Sequence, residues 1–166
     1  HIEIDLDDLG VRPAQASVPF LVGGHGRRVV ELAARRADVF QYTGLTHAPV
    51  TGVPGAGGFS MADLRTRKAW LDGVDPSDRL VDRPLQLSAL VQVTHVGDDA
   101  STHLDEAVER IGLPRDDVEA TPFALIGGLD QIVDKLHRLR DELGIHHYVI
   151  RDAEGFAPVV DALAGS

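Results

Sequence analysis

The sequence predicts an α/β protein with a parallel sheet, built from about four strand-then-helix units. Short apolar runs alternate along the chain with longer segments whose apolar residues recur at helical spacing. Glycine or a capping residue marks most boundaries between them. A chain of 166 residues is long enough to bury one core, so we expect residues 1–166 to form a single domain.

The glycine-rich stretch near the start of the chain is the basis of the functional hypothesis. Residues 20–22 predict a buried strand, and a helix follows the glycines. Gly23, Gly24 and Gly26 allow positive φ and close approach of a ligand. The helix directs its first amides and its positive end at the same gap, which suits a phosphate. A plain tight turn explains the pattern equally well. The apolar residues that can share one helix face are Val29, Val30, Ala33, Ala34 and Ala37.

The segments on either side of this unit are less regular. Residues 1–18 predict an arm, with alternation over residues 1–6 typical of a half-exposed strand. Residues 39–43 predict the second strand, whose Gln41 and Thr43 are candidates for lining a pocket, whereas we expect Tyr42 to pack. The glycine- and proline-rich residues 46–59 predict a long loop, which suits a lid over a cofactor and a simple connector equally.

Capping residues and periodicity place the middle elements. Ser60 predicts the start of a helix that runs through residue 71. Residues 85–96 predict one long strand, from which Ser88 or Gln92 could face a barrel lumen. Ser101 or Thr102 is expected to cap the next helix, and residues 114–121 to form a connector.

Three elements close the chain. Residues 130–143 carry a clear apolar stripe and predict a helix. Lys135 lies among other charged residues of that segment, so we expect it on a solvated face. Residues 148–150 predict the last strand, and residues 156–164 predict a closing helix.

Several of these segments, in this order, resemble a known family. The first consists of Pro19-x-x-x-Gly23-Gly24-x-Gly26-Arg27 and then Leu32-Ala33-Ala34-Arg35-x-Ala37-Asp38. It resembles the fifth βα unit of the bacterial luciferase-like monooxygenase superfamily, on the deazaflavin-using side. Residues 123–136, 143–150 and 156–165 resemble that family's segment before the last strand, its last strand and its closing helix.

The resemblance implies a fold and a cofactor. The fold is α/β, the C-terminal half of a TIM (β/α)8 barrel, because a complete barrel needs about 250 residues. Residues 1–18 then correspond to an insertion arm and residues 19–166 to the βα units. The cofactor is a deazaflavin (coenzyme F420) or FMN. Its phosphate is expected at the following residues: Gly23, Gly24, His25, Gly26, Arg27, Gln41 and Thr43. No catalytic residue is assigned, because in the family the ring lies largely against the first half of the barrel.

Composition and motifs exclude several other classes. A formal net charge of −10 argues against a nucleic-acid partner, and no apolar run is long enough for a membrane span. The chain has no cysteine, no signal pattern and no zinc-site spacing, so we expect a cytoplasmic protein without a metal. His146 and His147 are adjacent on a strand and point to opposite faces. A dinucleotide fingerprint is disfavoured because Val29 replaces its third glycine.

Two functions from different classes remain. The first is a fragment or short form of a luciferase-like oxidoreductase, acting on a small-molecule substrate, in which this half binds the cofactor phosphate. The second is a non-catalytic half-barrel that serves as an assembly or binding module. In either case a half-barrel leaves strand edges and apolar surface open. We therefore expect a homodimer or a missing N-terminal half-barrel as partner.

Overall fold

The computed structural model describes residues 17–44, 46–47, 54–55 and 58–164. Its strands are β1 (Leu21–Gly23), β2 (Val39–Tyr42), β3 (Thr46–His47), β4 (Pro54–Gly55), β5 (Gln86–Leu90), β6 (Val93–Val96), β7 (Ala124–Gly127) and β8 (Ile145–Val149). Its helices are α1 (Arg27–Arg36), α2 (Met61–Asp72), α3 (Ala100–Ile111), α4 (Arg115–Ala120), α5 (Leu129–Leu143) and α6 (Ala153–Ala164). A 3₁₀ turn spans Pro76–Asp78.

The main sheet is parallel, with strand order β1-β2-β5-β8, as the alternation of strands and helices predicts. Parallel pairing brings the carboxyl ends of β1 and β2 together, with Gly23 opposite Gln41. The core lies between the sheet and helices α1, α2 and α5, where Phe40, Leu64 and Leu143 are fully buried. This packing fixes the edge of the sheet at which the candidate site lies.

The predicted long strand over residues 85–96 is divided in two. Val91 still donates its amide hydrogen to Val149 of β8, but Gln92 and Val93 donate theirs to Phe123, just before β7. The chain therefore leaves the main sheet after β5, and β6 pairs with β7 in a separate parallel sheet. The prediction of one continuous strand was wrong because the residue pattern carries no information on which strand is the partner.

Three local predictions are also corrected. Val29 is 38% exposed, so the buried face of α1 consists of Val30, Ala33 and Ala34, with Ala37 just beyond its end. Asp99 precedes α3, whereas Ser101 and Thr102 lie inside it. The expected connector over residues 114–121 contains α4, which Pro114 precedes in extended conformation. Helix α4 buries one residue, Val118, and a single apolar position gives no helical spacing from which a helix could be predicted.

Lys135 is buried, not solvated. It points inward from α5, and its ammonium group donates hydrogen bonds to the carbonyl oxygens of Glu119 and Ala124. Burial lowers the pKa of Lys135 to about 7. The lysine thus joins the end of α4, the start of β7 and α5, a contact between elements that helical periodicity alone does not predict.

Two predictions fall wholly or partly outside the described residues. The arm over residues 1–18 is described only from residue 17 onwards. Of the long loop over residues 46–59, the short strands β3 and β4 form an antiparallel pair. None of the described helices is long and apolar enough to cross a membrane.

Candidate functional site at the glycine turn

The glycine turn follows β1 at the carboxyl edge of the main sheet. Gly23 lies against β2, and a Cβ on Gly23 would be 3.3 Å from both the carbonyl oxygen of Gln41 and Cγ2 of Thr43. The structure therefore brings the predicted residues Gly23, Gln41 and Thr43 into contact. This edge of a parallel α/β sheet is where ligands are commonly bound.

Gly24 is needed for space and not for positive φ. Among the described glycines, positive φ occurs at Gly58, Gly112, Gly127 and Gly144, so the turn does not use the positive φ that its glycines allow. A Cβ on Gly24 would lie 2.8 Å from Cγ1 of Val29, which leaves room only for glycine unless Val29 moves. By contrast, a Cβ on Gly26 would have no heavy atom within 4 Å and would face open space.

Helix α1 begins directly after the turn without a side-chain cap. Gly26 occupies the N-cap position, and its carbonyl oxygen accepts hydrogen bonds from the amides of Val29 and Val30. The first turn contains no acidic residue, and it begins with Arg27 and Arg28. Two cations at the positive end of a helix are unfavourable by themselves, and a bound anion would offset both charges and the dipole.

Arg27 does not point into this gap. Its Nε donates to Oε1 of Glu31 at 2.7 Å, and its side chain is 69% exposed. This hydrogen bond lowers the pKa of the Glu31 carboxyl. The backbone of Arg27 therefore lies at the turn, whereas its guanidinium pairs with Glu31, one helical turn further along α1.

His25 is the side chain that connects the turn to β2 and to the loop before α2. One ring nitrogen, Nε2, lies 3.0 Å from the Thr43 hydroxyl. The other, Nδ1, lies 3.5 Å from Nη1 of Arg67. Gly58, with φ of +89°, lies against the same ring, and a Cβ there would be 2.0 Å from Nδ1. Only glycine therefore allows the end of the loop to cover His25.

Arg67 is a buried cation next to the turn, and sequence reasoning missed it. It is 1% exposed and donates hydrogen bonds to the carbonyl oxygens of Thr43 (3.0 Å), Gly58 and Asp63 (3.4 Å). Burial lowers the pKa of Arg67, but a guanidinium stays protonated in proteins. Within the part of the chain that the structure describes, Arg67 has no carboxylate within ion-pair distance.

Tyr42 packs under this cation, as the sequence predicts. Its ring is fully buried, edge-on to Phe40, and 5.5 Å from the guanidinium carbon of Arg67. Burial raises the pKa of Tyr42, so its hydroxyl stays neutral and does not compensate the charge of Arg67. The carboxyl edge of β1 and β2 thus carries positive charge from Arg67 and from the start of α1.

A second polar contact lies further along the main sheet. Ser88 is fully buried, and its hydroxyl lies 3.1 Å from Nδ1 of His147. Gln92 is half-buried and donates a hydrogen bond to the carbonyl oxygen of Leu90. The structure therefore explains both side chains by contacts within the protein.

Comparison with known proteins supports the fold. No protein-family model matches this chain, and no curated protein matches it in sequence. An F420-dependent secondary alcohol dehydrogenase, in complex with an F420-acetone adduct, matches 90% of this chain with 48% of its own, at 12% identity and a TM-score of 0.51. The F420-dependent tetrahydromethanopterin reductase of Methanopyrus kandleri covers 80% of this chain with 44% of its own length, at 14% identity and a TM-score of 0.47. A long-chain alkane monooxygenase covers 87% of this chain with 38% of its own length, at 14% identity and a TM-score of 0.41.

The chain has part of the TIM-barrel-like fold of the luciferase-like enzymes. The match to the alcohol dehydrogenase carries this conclusion, and it confirms the predicted fold class with parallel βα units. The chain spans less than half the length of each of these three proteins. At such low identity the likeness concerns the fold and not the site residues.

Proposed function

We propose that this chain forms the cofactor-phosphate-binding part of a luciferase-like oxidoreductase that uses deazaflavin (coenzyme F420) or FMN. One observation carries the proposal: the buried cation Arg67 and the uncapped start of α1 meet at the glycine turn. The phosphate would lie at the seven predicted residues, which are Gly23, Gly24, His25, Gly26, Arg27, Gln41 and Thr43.

The chemistry of the turn fits an anionic group. The first amides of α1 are donors, and Gly26 leaves open space beside them. The two arginines that begin α1 gain favourable interactions when an anion is present. Because the whole chain carries a net charge of −10, a phosphate needs such a local positive region to bind.

The residues of the glycine turn would bind and orient the cofactor phosphate, and no chemical step is assigned to them. The cofactor, when bound, supplies hydride or oxygen chemistry to a small-molecule substrate. His25 lines the proposed phosphate site and positions the turn, because its two ring nitrogens face Thr43 and Arg67. Arg67 polarises the His25 ring beside it and makes the electrostatic potential at the turn more positive.

Gly26→Asp tests the phosphate site directly. The backbone of Gly26 is extended (φ −79°, ψ 142°) and its Cβ position is open, so the structure accommodates aspartate. Aspartate is a good N-cap residue, so α1 should be as stable as before or more stable by a few tenths of a kcal/mol. Its negative charge should nevertheless repel a phosphate. We expect Gly26→Asp to weaken binding of FMN and of coenzyme F420 at least about tenfold, measured by titration of ligand fluorescence.

Gly26→Asn is the matched control, because asparagine has the same shape and also caps a helix but carries no charge. It should keep most of the affinity. Equal affinity of wild type and Gly26→Asp would contradict the assignment of the turn. Loss of binding in both variants would indicate that the added volume, and not charge, disturbs the site. No binding by wild type would favour the second candidate, a non-catalytic half-barrel module.

We also propose that the open edge of the main sheet forms an interface. β1 is an edge strand of the described sheet, and apolar side chains lie exposed beside it: Val18 (65%), Phe20 (65%) and Leu21 (50%). Unpaired strand edges flanked by apolar surface favour association. The partner is a second copy of this chain or a separate N-terminal half-barrel.

A further inference from the structure

We propose that His95, Asp99 and His103 form a binding site for a divalent transition-metal cation, with Zn²⁺ as the reference ion. This site is independent of the glycine turn and of the function proposed above. It joins the end of β6 to the first turns of α3. Sequence reasoning found no zinc-site spacing, because the three residues lie four apart across the junction of a strand and a helix.

The polar atoms of the three side chains lie close together. His95 Nε2 lies 2.6 Å from Oδ1 of Asp99, and His103 Nε2 lies 3.7 Å from Oδ2 of the same carboxylate. The two imidazole rings stack with centroids 3.7 Å apart and planes 28° apart. One potential ligand atom from each residue lies within 4.8 Å of the other two.

These separations are close to those of a coordinated ion. In tetrahedral coordination with bonds of about 2.0–2.1 Å, ligand atoms are about 3.3 Å apart. The His103–Asp99 separation must shorten slightly and the His95–Asp99 separation must lengthen slightly. The two rings must also turn out of their stacked arrangement, because an imidazole nitrogen binds an ion in the plane of its ring. The exposure of Asp99 (71%) and of His103 (37%) leaves room for these rotations.

Two neighbours of the cluster are consistent with a metal site. Oε2 of Glu106 lies 3.6 Å from Nδ1 of His103, whereas Asp99 lies nearest the other ring nitrogen, Nε2. A carboxylate there favours a proton on Nδ1 and leaves Nε2 free to bind a metal, as is common around metal-bound histidines. Gly97 lies where the ligand atoms meet, since a Cβ there would be 2.9 Å from Oδ1 of Asp99 and 3.0 Å from Nε2 of His95.

The ligand set determines the class of ion. Two imidazoles and one carboxylate favour Zn²⁺, Co²⁺ or Ni²⁺ over Mg²⁺ and Ca²⁺, which prefer oxygen ligands alone. Three protein ligands leave at least one position for water or another ligand. The site opens to solvent, which gives the ion a path of entry, and the net charge of −10 attracts a cation.

The test is a titration of the full chain, freed of metal, with Zn²⁺ in competition with a chromophoric chelator. We expect saturable binding of one Zn²⁺ per chain. His103→Gln and Asp99→Asn should each weaken it at least about tenfold. His137→Gln is the matched control, because it removes a histidine from α5 that lies outside the cluster, and it should leave the affinity unchanged. Circular dichroism of each metal-free variant checks that the fold is intact.

Co²⁺ provides an independent readout of the ligands. Bound in place of Zn²⁺, it should give visible absorption bands that disappear in His103→Gln and persist in His137→Gln. Absence of saturable Zn²⁺ binding would overturn the proposal. Binding that His103→Gln and Asp99→Asn leave unchanged would overturn it as well, because the ion would then lie elsewhere on the chain.

Discussion

Arg67 is the residue that links the local structure to the proposed chemistry. It holds the carbonyl oxygens of Thr43 and Gly58, so it joins the end of β2 to the end of the loop before α2. Its guanidinium also lies beside His25. One buried side chain therefore fixes the shape of the turn and gives it positive charge.

Arg67→Met should lower the free energy of unfolding by about 2–4 kcal/mol, because it leaves buried carbonyl oxygens without donors. Arg65→Met is the control on the same helix. Arg65 is 61% exposed and pairs with Glu142 on the surface, so its replacement should cost less than about 1 kcal/mol. Urea unfolding of both variants measures the difference. Equal losses would show that the buried hydrogen bonds of Arg67 contribute nothing special.

Part of this site could be predicted from the sequence, and part of it could not. Glycines after an apolar run predict a turn at the end of a strand, and parallel pairing then places Gln41 and Thr43 beside it. Arg67 lies on the buried face of α2 with Met61, Leu64 and Leu71. A charged residue at a position that helical spacing assigns to the buried face could have identified it. Its partners could not be predicted, because Thr43 and Gly58 are brought to it by the fold and not by spacing.

At the scale of elements, Lys135 connects α5 to α4 and β7. The pKa of its amine is about 7 in the folded chain and about 10.5 when unfolded. Between these values the unfolded chain binds more protons, so the free energy of unfolding must rise with pH. Above about pH 9 the buried tyrosines, whose pKa burial raises, add an opposing effect. The informative range is therefore pH 7 to 9.

Over that range, the free energy of unfolding of wild type should rise by about 1–3 kcal/mol relative to Lys135→Met. Lys68→Met is the control, because Lys68 is a partly exposed partner of Asp72 on α2 and its replacement should leave the slope unchanged. Denaturant unfolding at several pH values gives the slopes. Parallel slopes for wild type and Lys135→Met would contradict the lowered pKa of Lys135.

The elements themselves were mostly predictable, and their partners were not. The apolar stripe of α5, with Ile132, Leu136, Leu139 and Leu143 buried, follows from helical spacing. Periodicity did not reveal that β5 and β6 belong to different sheets, since both continue the same alternation. Periodicity also placed Lys135 in solvent, because its charged neighbours on α5 are typical of an exposed face. The pattern could not reveal the carbonyl oxygens of Glu119 and Ala124 that accept its hydrogen bonds inside the protein.

At the scale of the whole molecule, the proposed interface lies at an edge of the main sheet. β1 and β8 are the edge strands of the described main sheet, and exposed apolar side chains lie beside β1. Sedimentation equilibrium should give a mass of about twice 17.8 kDa if a second copy covers this edge. Phe20→Lys should shift the mass toward the monomer. A monomer at all concentrations would remove the homodimer from the proposal.

Amide chemical shifts measured by NMR test most directly whether the glycine turn holds a cofactor phosphate. The chain would be titrated with FMN, with coenzyme F420, and with riboflavin, which has the FMN ring but no phosphate. We predict that FMN or coenzyme F420 shifts the amides of Gly24, Gly26 and Arg27, and that riboflavin does not. Shifts confined to other residues, or equal shifts with riboflavin, would show that the turn does not hold the phosphate.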